Sequence, residues 1–273
     1  MHTKSNGPNV ANPYVAGHSP SPALLVNDRS GPSETPTLPG HDHRSAAPLS
    51  SERPRKRRLG TTIGARSLTP CQQTTARDFR TAADFRVAQM LKHQPPSEFH
   101  SLAEYFHAAL LEGDPTVSHY VPQPFVLKIG KEHYKPDCYV VRDHRVDVVE
   151  LKPRAKFDPQ KRRTLEAFFR DHHMHFSVLA NEAVLARRIE ACNWLTIVQM
   201  LVLHRDVDTW VDEQAILDQV FRAGGGRIGD WVLATDRSAT RVQEIALFRL
   251  LHQGKLKADM TDHRLSFDTE VLP

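Results

Sequence analysis

The sequence predicts an α/β domain with a mixed sheet flanked by helices, followed by a mainly helical unit closed by a β-hairpin. Three observations predict it. The apolar period changes from helical to strand-like at Pro124. Three β-branched or aromatic runs between Pro124 and Lys152 are separated by short turns, as in a meander. From Trp194 the spacing is again helical, until two short runs near the C-terminus.

Residues 1–75 read as a disordered tail. They carry 10 of the 19 prolines and 6 of the 13 glycines. Such a stretch cannot bury enough apolar area to offset its ordering entropy. It also carries the charge. Nine Lys or Arg stand against 4 Asp or Glu there, a net of +5, while the other 198 residues hold 27 against 28, a net of −1. The basic balance belongs to the tail, so a general basic surface cannot argue for nucleic-acid binding by the body. Arg53-Pro54-Arg55-Lys56-Arg57-Arg58 is either a solvated charge run or a nonspecific, salt-dependent grip on phosphate.

Some classes are excluded. No run approaches the ~18–20 apolar residues of a membrane span. The opening MHTKSNGPNV lacks the apolar core of a secretory signal. Cys71, Cys138 and Cys192 lie far apart with no CxxC pair, which excludes a disulfide framework and a cysteine zinc site. The expectation is a cytoplasmic protein with no membrane partner.

A first domain is expected over 76–192. Asp78–Leu91 has helical spacing, stopped by Pro95-Pro96. Ser101–Leu111 reads as a second helix, ended by Gly113-Asp114-Pro115. Strands follow over Pro124–Ile129, His133–Val141 and Val146–Lys152. A helix over Pro159–His172, a fourth strand over His175–Ala180 and a helix from about Glu182 complete the unit. A second domain is expected over 193–273. It has helices at Asp212–Ala223, Ile228–Thr235 and Ser238–His252, then strands at Gly254–Ala258 and Arg264–Phe267. Helices closed by a hairpin make a winged-helix-like unit.

The chemistry lies in the meander. Asp137 follows Pro136 on the second strand, and Glu150-Leu151-Lys152 ends the third, thirteen residues later. Strand alternation puts Glu150 and Lys152 on one face. The turn Arg142–Arg145 folds the second strand back beside the third, so Asp137 and Glu150 can converge on one cation. Mg²⁺ takes oxygen ligands of this kind, with Mn²⁺ as a substitute. A metal so held activates water and stabilises charge on a phosphate oxygen, and a neighbouring lysine offsets phosphate charge. This is the spacing of a PD-(D/E)xK nuclease. The alternative is a pair of charges guarding a solvated edge strand.

Basic residues Arg154, Lys156, Lys161, Arg162 and Arg163 follow the third strand and suit phosphate contacts, or a solvated first turn. Arg237 and Arg241 start a helix that can enter a DNA groove or dock a protein.

The chain also resembles a known family. Ser101-Leu102-Ala103-Glu104 opens a helix, followed by Leu110–Pro115, Tyr120-Val121-Pro122-Gln123-Pro124-Phe125, Tyr134-Lys135-Pro136-Asp137 and Val149-Glu150-Leu151-Lys152-Pro153. This order resembles the TnsA-like endonuclease subunits of heteromeric transposases over about 78–190, and more loosely over 195–273. The resemblance implies a restriction-endonuclease-like fold and Mg²⁺-dependent cutting at the 5′ ends of a transposon. It also implies two partners besides DNA: a DDE-type transposase for the 3′ ends and an AAA+ ATPase regulator. Asp137, Glu150 and Lys152 match the family's catalytic series, although some members carry Gln where Glu150 stands. Glu104 matches the acidic residue of the preceding helix. Ser101-x-x-Glu104 is equally a capping box, so Glu104 is either catalytic and metal-binding or a helix cap. Two further readings stay open: a non-catalytic DNA-binding or docking module on the same scaffold, and a free-standing repair or restriction nuclease.

Overall fold

Ile63–Ala65 (β1) is the first described strand, pairing antiparallel with Leu127–Ile129. The computed structural model describes residues 62–75, 80–81 and 84–273, all within one compact unit. The basic cluster Arg53–Arg58 lies outside the described residues. Residues 62–75, expected to belong to the tail, are described, while residues 1–61 lie outside the described residues. Cys71 and Gln73 donate backbone N–H groups to Pro124 and Gln123 at 2.8 and 3.0 Å, so this stretch is fixed by partners about fifty residues away, which its composition does not reveal.

Of the helix expected over Asp78–Leu91, the described part holds only a 3₁₀ turn at 80–81 and no α-helix, while 78–79 and 82–83 lie outside the described residues. Arg86–Ala88 (β2) pairs instead with Ser97–Phe99 (β3). Phe99 is buried and its ring lies 5.5 Å from that of Tyr105. Packing overrides the helical spacing here, as it commonly does for short strands.

Leu102–Glu112 (α1) forms as expected, capped by Ser101 and ended at Gly113. Val117–Pro122 (β4) follows, a strand absent from the sequence reading. Leu127–Ile129 (β5) and Glu132–Tyr134 (β6) complete a small antiparallel sheet in the order β1-β5-β6. The expected strand His133–Val141 is two strands. Pro136 has no N–H to pair, and the chain changes sheet there, resuming as Cys138–Arg142 (β7).

Arg145–Lys152 (β8) is the central strand. It pairs antiparallel with β7 and parallel with His175–Ala180 (β9), reached through the helix Pro159–Asp171 (α2). A parallel neighbour requires such a crossover. The mixed sheet runs β4-β7-β8-β9. Alternation on β8 serves two cores. Val148 packs with Leu165, Phe169 and Phe176, while Val149 and Leu151 join Ala108, Leu111 and Trp194 on the other face.

Asn181–Ala186 (α3) leads into Arg188–Leu203 (α4), then Trp210–Ala223 (α5), which Gly224 ends at φ 77°. The division expected at 192/193 falls inside α4, whose Trp194 and Ile197 share a core with both α1 and the C-terminal residues. Gly226–Arg227 (β10), Arg241–His252 (α6), Lys257–Ala258 (β11) and Glu270–Leu272 (β12) finish the chain. The short helix expected at Ile228–Thr235 is one 3₁₀ turn, Ile228–Asp230. Arg264–Phe267 is not a strand. Its expected role passes to β12, which lies between β10 and β11 and buries Val271 completely. The protein is thus a mixed α/β structure with four sheets and six α-helices among the described residues. No helix among them is long and apolar enough to cross a membrane.

Candidate functional site

Glu104, Asp137, Glu150 and Lys152 come together at the end of β8. Lys152 Nζ lies 2.5 Å from Glu150 Oε1 and 3.9 Å from Asp137 Oδ2. Strand period places Glu150 and Lys152 on the same face. Asp137 stands just before β7, and its Oδ2 accepts the Leu151 N–H at 2.7 Å. Cys138 points to the opposite face, into the core with Val140.

Glu104 approaches from α1. Its N–H donates to Ser101 Oγ at 3.2 Å, and Ser101 Oγ donates back to Oε1 at 3.0 Å. Oε2 accepts from the His100 N–H at 3.2 Å and from Gln123 Nε2 at 2.8 Å. The cap and the cleft are therefore one arrangement, because the capping bonds aim the carboxylate toward the end of the sheet. Glu104 and Asp137 line one small cavity with His107, Cys138 and Leu151.

The electrostatics are those of crowded carboxylates. Burial, then Glu150 and Glu104, raise the Asp137 carboxyl to about 8, against the opposing pull of Lys152 and the Leu151 N–H. Burial also raises Glu104, against its hydrogen bonds from His100, Ser101 and Gln123. For Lys152, burial lowers the pKa, but the hydrogen bond to Glu150 and the nearby carboxylates outweigh it and leave it raised. Lys152 is thus an ammonium at neutral pH, suited to donating hydrogen bonds and offsetting charge, and not to acting as a base.

Two further residues touch this set. Tyr134 donates its hydroxyl to Glu150 Oε2 at 2.5 Å. Burial and Glu150 push the phenol well up, so it remains a donor. Gln123 holds Glu104, as above. Both stand in the motif series of the sequence, which by itself assigns them no role. The available signal was a lone amide in the apolar run Val121-Pro122-Gln123-Pro124-Phe125 and a tyrosine three residues before Asp137.

The oxygen donors Glu104, Asp137 and Glu150 suit a hard divalent cation. Among the described residues no group of three or more His, Cys, Asp or Glu stands arranged to hold a metal ion. Lys152 takes a cation's place beside Glu150 and Asp137.

Arg154, Lys156, Arg162 and Arg163 are exposed on the turn after Lys152 and the first turns of α2. Arg154 and Ala155 adopt left-handed φ values of 55° and 50°, and the Arg154 N–H donates to Glu182 at 2.7 Å. Arg162 pairs with Glu166 at 2.8 Å. Lys161 pairs with Glu132 at 3.6 Å and lies over the Tyr134 ring. Arg237 and Arg241 lie elsewhere. Both guanidinium groups pair with Glu244, which is 1% exposed, and the Arg241 contact is 2.7 Å. No protein-family model matches the chain, and no curated protein matches it either.

Proposed function

We propose that this chain is a Mg²⁺-dependent DNA endonuclease of the PD-(D/E)xK type. In this reading it is a TnsA-like, cytoplasmic subunit of a heteromeric transposase that cuts transposon 5′ ends. The observation that carries the reading is the convergence of Asp137, Glu150 and Lys152 from two strands, with Lys152 Nζ within 3.9 Å of both carboxylates. The β4-β7-β8-β9 sheet between α1 and α2 supports a restriction-endonuclease-like core. The order α5, β10, α6, β11, β12, with β12 central in its sheet, supports a winged-helix-like C-terminal part.

The donor chemistry fits the metal. Burial, with Glu150 and Glu104 beside it, raises Asp137 to about 8, and a bound cation would oppose that shift. Glu104, Asp137 and Glu150 would hold the ion. Bound Mg²⁺ supplies a Lewis acid and lowers the pKa of its water. The Leu151 N–H fixes Asp137, and the Tyr134 hydroxyl fixes Glu150. The Lys152 ammonium then faces the scissile phosphate and offsets its charge. Arg154, Lys156, Arg162 and Arg163 contact flanking phosphates and set the strand's position. The near-neutral body supports reliance on partners to hold DNA: a DDE-type transposase and an AAA+ ATPase.

The test is nicking of supercoiled DNA with Mg²⁺ or Mn²⁺, with and without a DDE-type transposase. Nicking that needs both the transposase and Asp137 is the expected result. Nicking by the chain alone favours a free-standing nuclease. The alternative is a non-catalytic DNA-binding or docking module on the same scaffold. It predicts DNA or partner binding without nicking, equal in wild type and Asp137→Asn.

A further inference from the structure

Gln123 carries two costs at one position. It is 3% exposed, and its Oε1 is buried with no hydrogen-bond partner. Its backbone sits at φ 40°, in the left-handed region, directly before Pro124. A following proline disfavours helical angles, and strained non-glycine residues gather where function holds them.

The surroundings hold Gln123 in that state. Its N–H donates to the Asp137 carbonyl at 3.0 Å, and its own carbonyl accepts from the Gln73 N–H at 3.0 Å. Its Nε2 donates to Glu104 Oε2 at 2.8 Å. The amide nitrogen faces Glu104, and the oxygen is left over. The backbone is thereby tied to one carboxylate residue and the side chain to another. A residue needed only to join β4 to its neighbours would require no buried amide.

We propose that Gln123 completes the cation site. Its Nε2 orients Glu104, and its Oε1 is a neutral oxygen donor to the divalent ion shared by Glu104 and Asp137. Hard cations accept amide oxygens alongside carboxylates. The proposal rests on the reading of Asp137, Glu150 and Lys152 as a cation-dependent site, and it assigns a residue that the PD-(D/E)xK spacing does not include.

The experiment is Mn²⁺ binding by the full chain, read from the loss of the free-ion electron paramagnetic resonance signal. It compares wild type, Gln123→Met, Gln123→Glu and Asp137→Asn, with circular dichroism and melting curves for each. Gln123→Met keeps the length and removes both polar atoms. It is expected to weaken Mn²⁺ binding roughly 10–100-fold, the range for losing a supporting partner of a metal site. It should also shrink the rise in melting temperature that Mn²⁺ gives the wild type. Gln123→Glu keeps an oxygen donor and loses the Nε2 donor to Glu104, so it should bind more tightly than Gln123→Met and separates the role of the oxygen from that of the nitrogen. Should Gln123→Met fail to fold, the Glu variant decides alone, since binding by a folded Gln123→Glu as weak as that of Asp137→Asn overturns the proposal. Unchanged binding by Gln123→Met, with binding lost in Asp137→Asn, overturns the role of Gln123 and leaves the site standing. No Mn²⁺ binding by the wild type overturns both.

Discussion

Asp137 Oδ2 accepts the backbone N–H of Leu151 at 2.7 Å, which locks the carboxylate onto the strand that carries Glu150 and Lys152. The lock holds Asp137 in a crowded, buried place, and its pKa rises to about 8. An unfolded Asp titrates near ~3.9. Between these values the folded state keeps a proton that the unfolded state has lost, so stability falls as pH rises from about 4 to about 8. In metal-free protein, Asp137→Asn should flatten that fall and melt higher than wild type at pH 8. Melting temperatures across the window check this.

Tyr134 supports Glu150 through a single short bond. Tyr134→Phe removes the donor and leaves a carboxylate oxygen of a 2% exposed residue short of a partner. Hydrogen bonds to charged groups contribute ~1.5–3 kcal/mol. Urea unfolding of Tyr134→Phe should show a loss in that range.

Glu112 ties distant parts of the chain. It is fully buried, and its Oε1 accepts from the N–H groups of Leu91 and Lys92 at 3.1 and 3.0 Å and from the Tyr120 hydroxyl at 3.0 Å. Its Oε2 meets His252 Nε2 of α6 at 3.0 Å. Glu112→Ala strands these groups, and each buried donor left without a partner costs about 1–3 kcal/mol. The variant should unfold at clearly lower urea than wild type.

Gly113 ends α1 under the Trp194 ring. A Cβ there would stand 2.1 Å from Trp194 Cε2. Gly113→Ala must displace the ring, and overpacking of this kind costs about 1–3 kcal/mol. A lower melting temperature and a changed tryptophan fluorescence spectrum are expected together.

The site was more legible in the sequence than the fold around it. Asp137, Glu150 and Lys152 could be placed because strand alternation and one short turn suffice to bring them together. α1, α2 and β9 were legible because a cap, a proline and a β-branched run mark them locally. What failed depends on distant partners. β1 is fixed by β5, β2 by β3, and β12 by both β10 and β11. Pro136 marked a break between sheets that the apolar run concealed. Gln123 and Tyr134 acquire their roles only from Glu104 and Glu150, 19 and 16 residues away. Arg237 and Arg241 suit a DNA groove or a protein partner by position alone, and only the fold shows that both guanidinium groups pair with Glu244.

The central claim is that Asp137, Glu150 and Lys152 form a cation-dependent phosphodiesterase site. The most direct measurement is the rate of Mg²⁺-dependent nicking of supercoiled DNA by wild type, Asp137→Asn and Lys152→Met. All three are assayed with and without a DDE-type transposase and at matched DNA occupancy. The account predicts nicking by the wild type that stops on chelation of Mg²⁺. It predicts a fall of roughly 10²–10³-fold in each variant, the range for removing one preorganised electrostatic group, with melting curves that show each variant folded. Equal nicking by wild type and Asp137→Asn, or nicking indifferent to chelation, would contradict it.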